Sequence, residues 1–78
     1  MQNDYYETSD FPLAVTLALW YPLESIDKTK PHKAQFIFKR EKNLDQFIES
    51  YWRGEFQVEP IAFFQQMKLI KSRLYAET

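Results

Sequence analysis

The sequence predicts an α+β fold: a single small domain in the order α-β-β-α-α, with a two-stranded antiparallel hairpin packed on three helices. Three observations predict it. A long stretch with helical spacing closes the chain, a second stands just before the only glycine, and a run alternating Phe with Lys or Gln lies upstream of both. The 78 residues make one domain and leave no room for two.

Residues 1–7 are polar with two tyrosines and read as a partly ordered N-terminal tail to a domain over 8–78. A first helix follows. Ser9 or Asp10 can cap it, and Pro12 falls in its first turn, where a missing N–H costs nothing. From Phe11 to Tyr21 only Thr16 is polar, and Pro22 stops the helix. A helix apolar all round is buried all round. In so small a domain this one is either the central element or half of an interface.

The hairpin comes next. Leu23 to Lys28 is a weak strand. Lys33 to Lys39 is a strong one, with Ala34, Phe36 and Phe38 on one face. Lys33, Gln35 and Lys39 take the other face, interrupted by Ile37. The turn between the strands is Thr29, Lys30, Pro31 and His32. A two-stranded ribbon is marginal alone, so its Phe face should pack on the first helix.

In the second helix Asn43 is the expected N-cap and Gln46 stands at N3, resembling a capping box. Leu44, Phe47, Ile48, Tyr51 and Trp52 form one apolar stripe. Arg53 in the last turn and Gly54 just beyond it mark the stop. Glu55 to Glu59 is an extended linker with Phe56 and Val58 on one side. Pro60 is then suited to N1 of a third helix running to about Tyr75, with a core stripe of Phe63, Met67, Ile70 and Leu74.

Composition narrows the function. Without cysteine there is neither a disulfide nor a thiolate zinc site, so apolar burial must hold the fold. Seven Phe, five Tyr and two Trp give fourteen rings, more than a core of this size easily encloses. Several rings are therefore expected at the surface. Net charge is −1, but Asp4, Glu7, Asp10, Glu24 and Asp27 precede every base. Lys28, Lys30, Lys33, Lys39, Arg40 and Lys42 then follow with one acid, Glu41. The N-terminus lacks the basic start and apolar run of an export signal. The apolar stretch Phe11–Leu23 is short of the roughly 20 residues a membrane span needs. The cytoplasm is the expected compartment, with no membrane as partner.

Catalytic chemistry finds little support. The single histidine, His32, lies in a turn and reads as solvated, with no nucleophile–base pair around it. Asp45 and Glu49 share a helix face, which a solvated polar face explains. Glu24 and Asp27 flank a strand and should point to opposite faces. Gly54 follows a helix instead of opening one, so no phosphate-cradling loop exists. The expectation is no enzyme, no catalytic or metal-binding residue, and no cofactor.

Two surfaces remain as candidates. For nucleic acid, Lys33, Lys39 and Arg40 on the ribbon could follow phosphates, with Lys68, Lys71 and Tyr75 of the last helix beside them. Solvated lysines on exterior faces account for the same residues. For a protein partner or a second copy, Leu17, Leu19, Trp20 and Tyr21 of the first helix and Phe64 of the third offer apolar surface. A fully enclosed central helix accounts for the first four equally well.

The succession of motifs carries a resemblance. Ser9-Asp10-Phe11 with Leu13-Ala14 opens a helix, Phe36-Ile37-Phe38 forms a strand, and Tyr51 with Gly54 precedes Phe56-Gln57-Val58-Glu59-Pro60. Lys68 through Tyr75 closes the series. Together, over residues 8–76, these resemble a family of short bacterial and phage domains of unknown function. The resemblance implies a cytoplasmic accessory protein and brings no catalytic or binding residue with it. The reading as a whole is a non-catalytic, self-associating interaction module; the alternative is a small nucleic-acid-binding accessory domain.

Overall fold

The computed structural model describes residues 4–30 and 33–76. The chain runs β1 (Tyr5–Thr8), α1 (Phe11–Ala18), β2 (Leu23–Asp27), β3 (Gln35–Lys39), α2 (Leu44–Trp52) and α3 (Pro60–Ala76). His32 lies outside the described residues.

The expected hairpin is in fact a three-stranded antiparallel sheet, ordered β1-β3-β2. The additional strand comes from the segment read as a tail. Tyr5 pairs with Lys39, Tyr6 with Phe38, Glu7 with Ile37 and Thr8 with Phe36. Four residues are too few to display a period of two, and their partner lies about thirty positions downstream. Only the exposed edge of β3 explains why they are extended. A third strand also meets the marginality of a two-stranded ribbon.

The weakness of β2 in the sequence has a physical reason. Its register steps between Leu23, opposite Phe38, and Ser25, opposite Ile37. This is a bulge at Glu24, where one extra residue resets the alternation. Leu23 and Ile26 can therefore both pack on the core although they are three positions apart. The bulge also corrects the expectation that Glu24 and Asp27 face opposite ways. Asp27 pairs with outward-facing Gln35, and Glu24 shares a shallow outer hollow with Tyr5, Glu7, Ser25 and Ile37.

The start of α1 follows the sequence reading. Asp10 accepts from the Leu13 N–H at 2.9 Å, and the Thr8 hydroxyl accepts from the Asp10 N–H at 3.1 Å. The helix ends at Ala18, earlier than expected. Tyr21 N–H donates to the Leu17 carbonyl at 2.7 Å as the chain tightens toward Pro22. Leu13, Ala14, Val15, Thr16 and Leu17 are all buried. Thr16 is accommodated because its hydroxyl donates to the Pro12 carbonyl at 2.9 Å.

Asn43 precedes α2, but the capping box does not form. Asn43 is left-handed, with φ 73°, and its side chain makes no capping bond. A tight turn, in which Leu44 N–H donates to the Glu41 carbonyl, sets that conformation. Gly54 ends α2 as expected. It is also left-handed, its N–H reaches the Tyr51 carbonyl, and Glu55 N–H reaches that of Ser50. That bond pair is a Schellman closure.

Around Phe36 and Phe38 of β3 gather Leu13, Ala14, Val15 and Leu17 of α1, Leu44 of α2 and Ile70 of α3. Phe63, Met67 and Leu74 join them from α3, completing the expected core stripe. The molecule measures 39 × 36 × 19 Å. Its thin dimension suits two layers, a sheet and the helices on its inner face. α1 packs against both β1 and α3.

Candidate interaction surfaces

Of the fourteen rings, only Phe36 and Phe38 are buried. Five are exposed: Tyr5, Trp20, Trp52, Phe64 and Tyr75. The rest are half-buried. Position in the layers decides which belongs where.

α3 lies at the outside of the fold, and its two faces differ in use. Glu59 begins it, its side chain accepting from the Ala62 N–H at 2.8 Å. Ile70 and its neighbours turn inward. Ile61, Phe64, Lys68, Lys71 and Tyr75 occupy an adjacent side, about a third of a turn round the helix from the core stripe, at i, i+3, i+7, i+10 and i+14. All five are exposed, Ile61 by 64%, Phe64 by 58% and Tyr75 by 72%. Leu69 adds exposed apolar surface on one flank. This 17-residue helix thus carries large exposed apolar groups beside its core stripe.

Of the interface candidates expected on the first helix, only Leu17 lies within α1, and Leu19, Trp20 and Tyr21 follow its end at Ala18. Leu17 is 0% exposed and cannot touch a partner. Packed against β1 and α3, α1 buries every residue from Leu13 to Leu17 and leaves only Pro12 of its first turn exposed. Leu19 and Tyr21 are half-buried. Trp20 is 52% exposed but lies beyond the helix, in an aromatic cluster. Its ring centroid is 5.1 Å from Phe47 and 5.6 Å from Phe56, while Phe47 also meets Tyr21 at 5.4 Å. Trp52, expected on the α2 core stripe, instead points outward.

The basic candidates divide into two groups. Lys33, Lys71 and Tyr75 come together on one groove of about 470 Å³, whose floor includes Phe11, Phe36 and Leu74. Lys68 is one helical turn before Lys71 on the same side of α3. No ion pair among the described residues engages Lys33, Lys68 or Lys71. Lys39 and Arg40 stand at the far end of β3. Arg40 is committed within the fold: its guanidinium pairs with Asp45 and lies 5.7 Å from the centre of the Tyr6 ring. The pairing with Asp45 engages one end of the Arg40 guanidinium and sets a carboxylate beside any phosphate it would meet.

The acidic pair on α2 is also engaged, Asp45 by Arg40 and Glu49 by Arg53 at 3.4 Å. Among the described residues, no three His, Cys, Asp or Glu side chains converge as a metal site would require. Nor is any described helix long and apolar enough to cross a membrane. Burial raises the Tyr6 phenol above its ordinary range, with Thr8 and Arg40 opposing. Burial likewise raises Tyr51, helped by the charge of Asp10. Both are responses to packing, with no reactive group beside them.

Sequence reasoning missed Ile61 as a surface residue. The signal was present, since Ile61, Phe64, Lys68 and Tyr75 share a stripe that avoids the core positions. Asp27 and Glu24 were also missed as members of one outer sheet face, because the bulge that joins them leaves no mark in composition.

No curated protein and no solved structure matches the chain. The family model described as Domain of unknown function (DUF5659) matches residues 3–76, and the chain belongs to that family.

Proposed function

We propose that this domain is a non-catalytic interaction module that self-associates through the outward face of α3. The observation that carries this reading is the exposure of Ile61, Phe64 and Tyr75 along one side of α3 that its own core stripe does not use. Apolar surface at a continuous helical stripe is the usual form of a helix that meets another chain. The engagement of Asp45 and Glu49 by arginines supports the non-catalytic part, since neither carboxylate is left poised for chemistry. Light scattering after size exclusion tests the proposal. Average mass should rise with concentration for the native chain and fall toward the monomer in Ile61→Ser/Phe64→Ser. A strict monomer at high concentration contradicts it.

A second reading, as a nucleic-acid-binding accessory domain, is favoured by one observation: Lys33, Lys71 and Tyr75 line the same groove. Unpaired cations beside an exposed ring suit a single strand, with phosphates on the lysines and a base on the ring. The two lysines, with Lys68, would carry the contact, and Lys39 would extend it. Titration of labelled single- and double-stranded DNA at two salt concentrations tests it. Binding that weakens steeply with salt supports it, and no binding at low salt removes it.

A further inference from the structure

The sheet also has an unused side. Opposite the core-facing Phe36 and Phe38 stand Gln35, Ile37 and Lys39 of β3. Tyr5 and Glu7 of β1 and Ser25 and Asp27 of β2 are their partners in the register. Tyr5, Glu7, Glu24, Ser25 and Lys39 are all exposed. Tyr5, Glu7, Glu24, Ser25 and Ile37 surround a shallow hollow of about 290 Å³. Apolar groups at the centre of this face thus have acids around them.

The two outward faces differ in charge. On the sheet, Glu7, Glu24 and Asp27 stand against one base, Lys39. On α3, Lys68 and Lys71 stand with no acid among the stripe residues. Pairing α3 with the α3 of a second copy would bring these lysines toward their own equivalents. Setting α3 on the sheet of a second copy brings lysines to carboxylates and Ile61, Phe64 and Tyr75 to Ile37 and Tyr5.

Size agrees as well. From Ile61 to Tyr75 the stripe extends about 21 Å at the helical rise. Three strands are about 10 Å across at their usual spacing, close to the diameter of one helix. The sheet face is the back of Phe36 and Phe38, which turn into the core on the side where the helices pack.

We infer that copies of this chain associate head to tail, the outer face of α3 of one copy covering the outer sheet face, Tyr5, Glu7, Glu24 and Ile37, of the next. This rests on the proposed role of the α3 face and adds the identity of what covers it. Such a contact joins two different patches, so it does not close on itself as a two-fold pair does. Native chains build a ladder of sizes that grows with concentration and shortens as salt screens the charged rim.

A mixing experiment by sedimentation velocity tests the inference with two variants altered only at exposed positions. Ile61→Ser/Phe64→Ser loses the helix face, and Glu7→Lys/Glu24→Lys loses the sheet face. Each alone should associate about ten-fold or more weakly than the native chain. Mixed in equal amounts they should form a one-to-one complex and stop there, because each retains the face that the other lacks. Equal denaturation midpoints for both variants and the native chain confirm that folding is intact. If Glu7→Lys/Glu24→Lys still self-associates like the native chain while the helix variant does not, the head-to-tail contact is overturned and the α3 face stands. If the helix variant associates like the native chain, both are overturned.

Discussion

α1 and α3 contrast in a way that composition alone would reverse. α1 is the more apolar, eight residues in which only Thr16 carries a polar side chain, and it is sealed. α3 is mixed in character, yet it leaves Ile61, Phe64, Leu69 and Tyr75 in solvent. The difference is one of place. α1 lies between β1 and α3, so Leu13 through Leu17 all meet protein and only Pro12 at its start is exposed. α3 has one side on the core and nothing described on the other. The apolar content of a segment therefore reports how many sides are covered, whereas a surface for partners is betrayed by apolar groups on the wrong side of an amphipathic helix.

The largest expected effect sharpens this contrast directly. Leu17→Ala should cost about 2–5 kcal/mol, as emptying a sealed site in a packed core does. Phe64→Ser should change the stability of the monomer by no more than about 0.5 kcal/mol, as exposed positions do. Urea denaturation at low concentration measures both. Equal losses would break the contrast. Next in size are the two helix starts. Asp10→Ala removes the cap of the enclosed helix and should cost about 1 kcal/mol. Glu59→Ala removes an exposed carboxylate at the start of α3 and should cost less, about 0.5 kcal/mol. Thermal melts of the two variants rank them.

The smallest effect is on pH. Tyr6 and Tyr51 pack near β3 and α1, and burial holds their phenols above the ordinary value of 10.0. The unfolded chain releases these protons near that value while the folded chain retains them. The tyrosines' contribution to stability is therefore fully present below about pH 10 and is lost as pH rises beyond it. Tyr6→Phe should flatten the alkaline decline in denaturation midpoint. A decline unchanged in both Tyr6→Phe and Tyr51→Phe would assign it elsewhere.

Local chemistry was readable wherever one residue type has one structural use. Asp10 before Pro12 capped α1, Gly54 ended α2, and Pro60 opened α3. The inward stripe of α3 was readable because helical spacing is sustained over about three turns. β1 was not, since its four residues become a strand only beside β3. The bulge at Glu24 hid the alternation of β2 for the same reason: register is a property of a pair of strands. Asn43 misled because a good capping residue is also tolerant of the left-handed turn it adopts. Among the site residues, Phe64 and Tyr75 were recognised from their places on α3. Leu17 was misassigned because a greasy helix looks the same whether its last side is covered by its own chain or by another.

An NMR dilution series asks most directly whether the outer side of α3 is where this molecule meets another. Backbone amide signals would be followed from micromolar to millimolar concentration. Shifts should concentrate at Ile61, Phe64, Lys68, Lys71 and Tyr75, joined under the head-to-tail contact by Tyr5, Glu7, Glu24 and Ile37, with Leu13 through Leu17 unmoved. Spectra that do not change with concentration, or changes centred on Trp20 and Trp52 instead, would contradict the account.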